Sequence, residues 1–531
     1  MIVTSAKSAT DNPRMLLTPL PPPNSSQRPP LKTRFGAKLV VALTAFVVLA
    51  SLACTGALAQ PAPQNLPPEV DAALARAKVP REALAAIVID AAPAMNGKSA
   101  PLLAWRANAP VNSASVMKLV TTYAGIELLG PAYTWSTPVY VDGTIKDGVL
   151  QGNLIIQGRG DPKLVIERLW LLLRRVQGLG IKTISGDIFL DRSAFAAAPH
   201  NPADFDNEPF RPYNAAPDAL LINYKSVVMT FAPNPGAGVA HISYDPLLAN
   251  VNMQTTVPLS AGTGASLSEC GNYRGTLKPD FSDAFRMTFA GTYPAGCGEK
   301  VWAVAYADPA SYAERAVLGL WQDMGGTLAG RVREGRAPAG LRPVFEAASP
   351  SLAEVIRDIN KFSNNVMAQQ LFLTFSLPQA GAARLATTQT PASKEASREV
   401  LRTWWQQRFG AQDMPVFDNG SGLSRAERIT PQGLARMLQT AYVSGAMPEL
   451  MASLPITGVD GTLRNNKSRV SQGWAHLKSG SLNETTALAG YVHTPSGRRL
   501  VVVAVVNHPN ASAARPALDA LVDWAVREGS R

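Results

Sequence analysis

Apolar residues in this chain come in runs whose spacing changes along its length, and the changes mark the elements. An apolar run from Leu39 to Ala53 follows Lys32, Arg34 and Lys38 and precedes the small triplet Ala57-Leu58-Ala59. That order predicts an export signal cleaved before Gln60. The run has 15 residues, short of the roughly 20 that a membrane-spanning helix needs. The stretch "PLPPPNSSQRPP" before it reads as unstructured, and translation starts at Met1 or at Met15. From Leu66 to Pro110, "ALAAIVIDAA" and "SAPLLAWRAN" predict a hairpin. "VNSASVMKLVTTYAGIELLG" (Val111 to Gly130) then passes from small polar residues into apolar positions at helical spacing.

The period shortens after that helix. "STPVYVDGTIKDGVLQGNLIIQGRGDP" reads as strands broken by Asp-Gly and Gly turns, followed by a helix from Lys163 to Leu179 and a strand at "TISGDIFLD". Ala196 to Tyr306 shows short strands and long Pro/Gly/Asn loops, so Thr137 to Arg342 is expected to be a mainly β insertion, with "GRAPAGLRP" as its return linker. Helical spacing dominates from Ser351 to Tyr442. Strands follow at "GWAHLKSGS", "TALAGYVHT" and "RRLVVVAVVN", the last two joined at Pro495-Ser496-Gly497, and a final helix covers Ser512 to Arg527. The expected division is a leader over 1–59, a first domain part over 60–136, the insertion over 137–342, and a second domain part over 343–531.

Composition narrows the compartment. Hydrophobic residues make up 46% of 531, as a folded chain of two or three domains requires. Of the net charge of +11, +5 lies in residues 1–59, leaving a mild excess that fits a cell-envelope polymer or an anionic membrane surface and not nucleic acid. Cys54 lies inside the leader, where a lipidation role is countered by Ser51 at the position usually held by leucine. Cys270 and Cys297 remain as a pair for a disulfide in an oxidising compartment, the alternative being two free buried thiols. His200, His241, His476, His493 and His508 show no paired spacing, so neither a zinc peptidase nor any other metal cofactor is expected. His476 shares its strand face with Lys478 by alternation, which packing or exposure explains as well. Gly158-Arg159-Gly160 has no third glycine and no P-loop lysine and reads as a tight turn.

Three patches carry candidate chemistry. Ser115 and Lys118 stand at i and i+3 at a helix start, side by side on one face. They are either a solvated helix rim or a nucleophile beside a base whose pKa burial or a nearby cation lowers. Ser363 and Asn365 lie between two helical segments, where a helix cap would also explain them. Lys478-Ser479-Gly480-Ser481 closes a strand.

In the order SxxK, SxN, K-[ST]-G, these patches resemble the motif set of the penicillin-binding proteins and class A β-lactamases. "GNLIIQGRGDP", "YNAAPDALLIN", "DNGSGLSRAERIT", "SLPITGVDGTLR" and "LKSGSLNETTALAGY" resemble one branch over nearly the whole mature chain. That branch is the penicillin-binding protein 4 type of D-alanyl-D-alanine carboxypeptidase and endopeptidase, of class C low molecular mass. The resemblance implies an α/β fold, with an antiparallel transpeptidase-like sheet flanked by helices and split by the insertion. It also implies peptidoglycan stem peptides as substrate, β-lactams as inhibitors, a periplasmic location, and no cofactor. Membrane-surface association and a homodimer are left open, as is the choice between carboxypeptidase and endopeptidase.

The resemblance assigns Ser115 as nucleophile, Lys118 as its base, Ser363 and Asn365 to proton relay and amide binding, and Lys478 to positive potential linked to Ser363. Ser479, Gly480 and Ser481 form the substrate-binding strand end, with backbone N–H groups of Ser115 and Ser481 as oxyanion hole and the strand's free edge for an extended peptide. Ser479 departs from the more usual threonine, losing the methyl that restrains χ1. Arg425 is a second contact for a substrate carboxylate or a structural ion pair. Asp204, Asp206 and Glu208 form a solvated cluster or attract the amino group of a diaminopimelate side chain. A β-lactamase, or a non-catalytic envelope-binding protein on the same scaffold, are the alternatives.

Overall fold

The longest apolar strand run, Leu500 to Val506, occupies the middle of a sheet. In the computed structural model, which describes residues 65–93, 100–260, 270–378 and 391–530, five strands pair antiparallel. They are β1 (Leu84–Asp90), β2 (Leu103–Trp105), β3 (Ala475–Leu482), β4 (Thr485–His493) and β5 (Arg499–Asn507), in the order β3–β4–β5–β1–β2. The expected export signal and Cys54 lie outside the described residues. Among the described residues no helix is long and apolar enough to cross a membrane.

Strand alternation explains why β5 is apolar from Leu500 to Val506, since both of its faces are covered. Ile87, Ile89, Val501, Val503 and Val505 enter one core together with α1 (Lys118–Leu129), α2 (Leu352–Phe362) and α3 (Asn365–Thr374). Ala86, Val88, Val502, Ala504 and Val506 enter the other, against the helices Pro68–Arg76 and Arg515–Glu528. Every residue of α1 from Lys118 to Ile126 is buried, the mark of a central helix packed on all sides. A capping box of Ser351 and Glu354 starts α2, and the Asn364 side chain caps α3 by accepting from Met367 N–H.

Between Ser136 and Ala348 the chain builds seven-, four- and three-stranded sheets around a separate core. The expected helix is present as Ile166–Gly178. A second helix, Tyr312–Asp323, was not part of the sequence reading, although Tyr312, Ala316, Val317, Leu320 and Trp321 bury one face of it. The proposed return linker is also corrected. Its residues connect the strands Val332–Glu334 and Phe345–Ala348, and the second of these pairs with Ser136–Lys146, so the chain leaves this sheet only after Ala348. Cys270 and Cys297 form a disulfide. The expected tight turn at Gly158-Arg159-Gly160 is absent: the segment runs on from its strand beside the Ala219 backbone, where a Cβ on Gly158 would lie 2.3 Å from the Ala219 carbonyl oxygen, and Gly160 has φ +84°.

Asp218 locks the insertion to α3. Its carboxylate is 3% exposed between Lys225 (2.8 Å) and Arg192, and the Gln370 side chain bonds its backbone N–H and C=O, both at 2.8 Å. This lock holds the segment before it, Pro212–Asn214, beside the N-terminus of α3, where Asn365 Nδ2 donates to the Tyr213 carbonyl at 3.4 Å.

Candidate active site

Local geometry brings each patch to the same place. Ala114–Met117 forms a 3₁₀ turn that feeds into α1, so Ser115 stands on the turn and Lys118 opens the helix. Ser363 takes a left-handed conformation (φ 57°) between α2 and α3, which turns the chain sharply and leaves Asn365 as the first residue of α3. Lys478 to Ser481 lie on β3, the terminal strand of the sheet.

Lys118 Nζ lies 2.9 Å from Ser115 Oγ, 2.6 Å from Asn365 Oδ1 and 2.5 Å from the Ser421 carbonyl oxygen. Lys478 Nζ donates to Ser363 Oγ at 2.8 Å and to the Ser479 carbonyl at 2.7 Å. Both lysines are 0% exposed. Burial, then the charge of Lys478, lowers the pKa of Lys118 well below the lysine range, while Glu427 opposes the shift. Burial alone brings Lys478 down to about 7. A neutral Lys118 amine fits its three neighbours atom for atom. In that state two N–H bonds serve the Asn365 and Ser421 oxygens, which leaves the lone pair for the Ser115 hydroxyl.

Close packing of β3 on the nucleophile turn requires a glycine. A Cβ at Gly480 would lie 2.6 Å from the Ser113 carbonyl oxygen and 3.2 Å from Ser115 N. Gly480→Ala is therefore expected to push β3 away from the turn and slow acylation by about tenfold to a hundredfold, on the scale that a misplacement near 1 Å costs. Stopped-flow acylation by a chromogenic penicillin checks this; a rate within twofold of the unmutated protein would refute it.

Two contributors lay outside the sequence reading. The Ser421 carbonyl belongs to the segment "DNGSGLS", whose glycines Gly420 (φ +72°) and Gly422 (φ +78°) signal a tight loop but not its partner. Thr462 Oγ1 shares a 2.7 Å hydrogen bond with Ser479 Oγ, restraining the serine that lacks threonine's methyl. The available signal was "VDGTL", a turn at Gly461 (φ +54°) beside Asp460, which ion-pairs with buried Lys361 at 2.5 Å.

The motifs open into a cleft of about 1020 Å³ whose walls include Ser115, Ser363, Asn365, Ser481, Arg425 and Asp206. Arg425 donates to the Phe205 carbonyl at 3.1 Å and lies 5.1 Å from the centre of the Phe205 ring, and among the described residues it makes no ion pair, one of its two expected roles. The acidic loop divides. Glu208 pairs with Arg211 in solvent and Asp204 accepts from Asn201, whereas Asp206 turns into the cleft and is held by Tyr213 Oη (2.8 Å) and Asn214 Nδ2 (2.7 Å). His476 packs against His493, ring centres 5.1 Å apart.

The profile of the D-Ala-D-Ala carboxypeptidase 3 (S13) family matches residues 66–528. The chain is 24% identical over 403 residues to the D-alanyl-D-alanine carboxypeptidase DacB of Haemophilus influenzae, covering 74% of this chain and 80% of that one. It is 26% identical over 420 residues to the D-alanyl-D-alanine carboxypeptidase of Actinomadura sp. strain R39, covering 76% and 74%. The crystal structure of penicillin binding protein 4 (dacB) from Haemophilus influenzae shares the fold, with TM-score 0.65 at 22% identity over 85% of this chain and 99% of that one. A profile that spans the chain from before β1 to its last helix places it: the protein belongs to the D-Ala-D-Ala carboxypeptidase 3 (S13) family and is a serine-type peptidase.

Proposed function

We propose that this serine DD-peptidase cleaves D-alanyl peptide bonds in the stem peptides of peptidoglycan, through an acyl-enzyme on Ser115. Lys118 Nζ takes the hydroxyl proton as Ser115 Oγ attacks the carbonyl carbon of the D-alanine. Backbone N–H groups of Ser115 and Ser481 face the developing oxyanion. The C–N bond then breaks, and the leaving amine takes a proton relayed through Ser363, which Lys478 holds at 2.8 Å. Asn365 binds the peptide amide, Ser479 and Ser481 bind the terminal carboxylate, and water hydrolyses the ester. Penicillin enters the same path at Ser115 and stops at the ester.

Asp206 and Arg425 stand on the cleft wall with opposite charges, suited to the amine and carboxylate of a diaminopimelate side chain. The enzyme works outside the cytoplasm, delivered by the leader over 1–59. Residues 60–136 and 349–531 supply the transpeptidase-like domain, and the segment between them its insertion, which ends with the strand Phe345–Ala348.

The observation that carries this reading is the pair of linked contacts, Ser115–Lys118–Asn365 and Ser363–Lys478, joined in one cleft. Mass spectrometry after incubation with a D-alanyl-D-alanine pentapeptide and with cross-linked muropeptide dimers tests it. Loss of the terminal D-alanine, or splitting of the dimer at its D-alanyl bond, is the expected result. Rapid penicillin turnover without peptide cleavage would establish a β-lactamase in its place, and inertness toward both a binding protein.

A further inference from the structure

Glu427 has no part in the reaction just described, yet it is 1% exposed. Its Oε1 accepts from the backbone N–H groups of Asp418, Asn419 and Gly420 at 3.2, 3.1 and 2.9 Å. Its Oε2 is equally buried and has no hydrogen-bond partner. A buried carboxylate that gathers three amides on one oxygen fixes the loop to which they belong.

That loop reaches the reacting atoms. The Gly420 carbonyl accepts from Thr121 Oγ1 at 2.6 Å, and the next carbonyl, that of Ser421, grips Lys118 Nζ at 2.5 Å. Asn419 Oδ1 holds Ser421 by its N–H (3.0 Å) and its hydroxyl (2.7 Å). A Cβ on Gly422 would lie 1.9 Å from the Ala114 carbonyl oxygen, so the loop abuts the nucleophile turn. A shift of the amides at 418–420 would therefore move the carbonyl that orients the base.

Charge links the same two residues independently. The Glu427 carboxylate favours the ammonium form of Lys118, against burial and Lys478, while burial pushes its own carboxyl upward and the loop amides pull it back. The other charged group facing it is Asp418, which pairs with Arg398 at 2.7 Å; around Lys118 stand Lys478, Ser115 and Asn365.

We propose that Glu427 is a positioning residue of this active site: it staples the 418–421 loop so that the Ser421 carbonyl aims the Lys118 amine at Ser115, and its negative charge acts on that same buried amine. The proposal rests on Lys118 as base. Glu427→Gln keeps an oxygen for the amides and removes the charge; Glu427→Ala removes both. With a negative neighbour gone, Lys118 binds a proton less readily, so it is free at lower pH.

The test is the rate of penicillin acylation against pH for the full mature protein and both variants, with melting temperatures alongside. In Glu427→Gln the acid limb is expected to move to lower pH by about half a unit or more, about a threefold change in proton affinity. In Glu427→Ala the plateau rate is expected to fall about tenfold or more. A Gln variant with lowered melting temperature and an unmoved acid limb would reduce Glu427 to a structural staple and overturn the proposal; if the Ala variant does not fold, the Gln profile decides alone. An unmutated protein that takes no penicillin would take down the peptidase reading itself, and the proposal with it.

Discussion

Ser115→Ala is expected to abolish covalent labelling by fluorescent penicillin and all D-alanyl-D-alanine cleavage while leaving the protein folded. The side chain is partly exposed on a 3₁₀ turn, and its hydroxyl bonds only to the Lys118 amine among the described contacts, so its loss removes one neutral hydrogen bond. Such a bond contributes about 1 kcal/mol to stability. The cost to catalysis is far larger, because no acyl-enzyme can form without that oxygen. Denaturing electrophoresis after timed labelling checks the first effect and thermal unfolding the second. A persistent label on the alanine variant would place the nucleophile elsewhere.

Lys118→Met is expected to slow acylation by about a hundredfold to ten-thousandfold, the usual contribution of a positioned base. Methionine keeps most of the volume at a site that is 0% exposed, so packing survives. It cannot take the Ser115 proton, and it leaves the Asn365 and Ser421 oxygens without the donor that met them at 2.6 and 2.5 Å. Two unmet acceptors should lower the melting temperature.

In the unmutated protein the sign of the pH dependence follows from the lowered lysine values. Lys118 titrates well below a free lysine, so its free amine is present at lower pH than an exposed lysine allows, and acylation is expected to fall as acid protonates it. Lys478, brought down to about 7, carries its charge below that pH and loses it above, so any step that uses the charge weakens on the alkaline side. The unmutated protein should show a bell, and Lys118→Met a flat acid side at a much lower rate. An acid limb that persists in Lys118→Met would assign it to another group.

Local patterns along the chain announce the strands and helices that carry the chemistry and the residues placed at their ends. Ser115 and Lys118 are one helical turn apart, Ser363 and Asn365 fall in a break between two helical patterns, and Lys478 to Ser481 close a strand; all of these are local signals. The unbroken run of β5 likewise declared a strand covered on both faces. Partners are another matter. Lys118 meets Asn365 across 247 residues and the Ser421 carbonyl across 303, and Ser479 takes Thr462 from a separate loop. Periodicity states which way a side chain faces, not what it will find there, and a backbone carbonyl has no side chain to announce it. Asp206 shows the same limit, since only the lock of Asp218 to Gln370 and the turn at Pro212–Asn214 bring one acid of three into the cleft. The lowered lysine pKa values belong to the folded molecule for the same reason: burial comes from segments far apart in the chain, and without it Lys118 would be an ordinary surface cation.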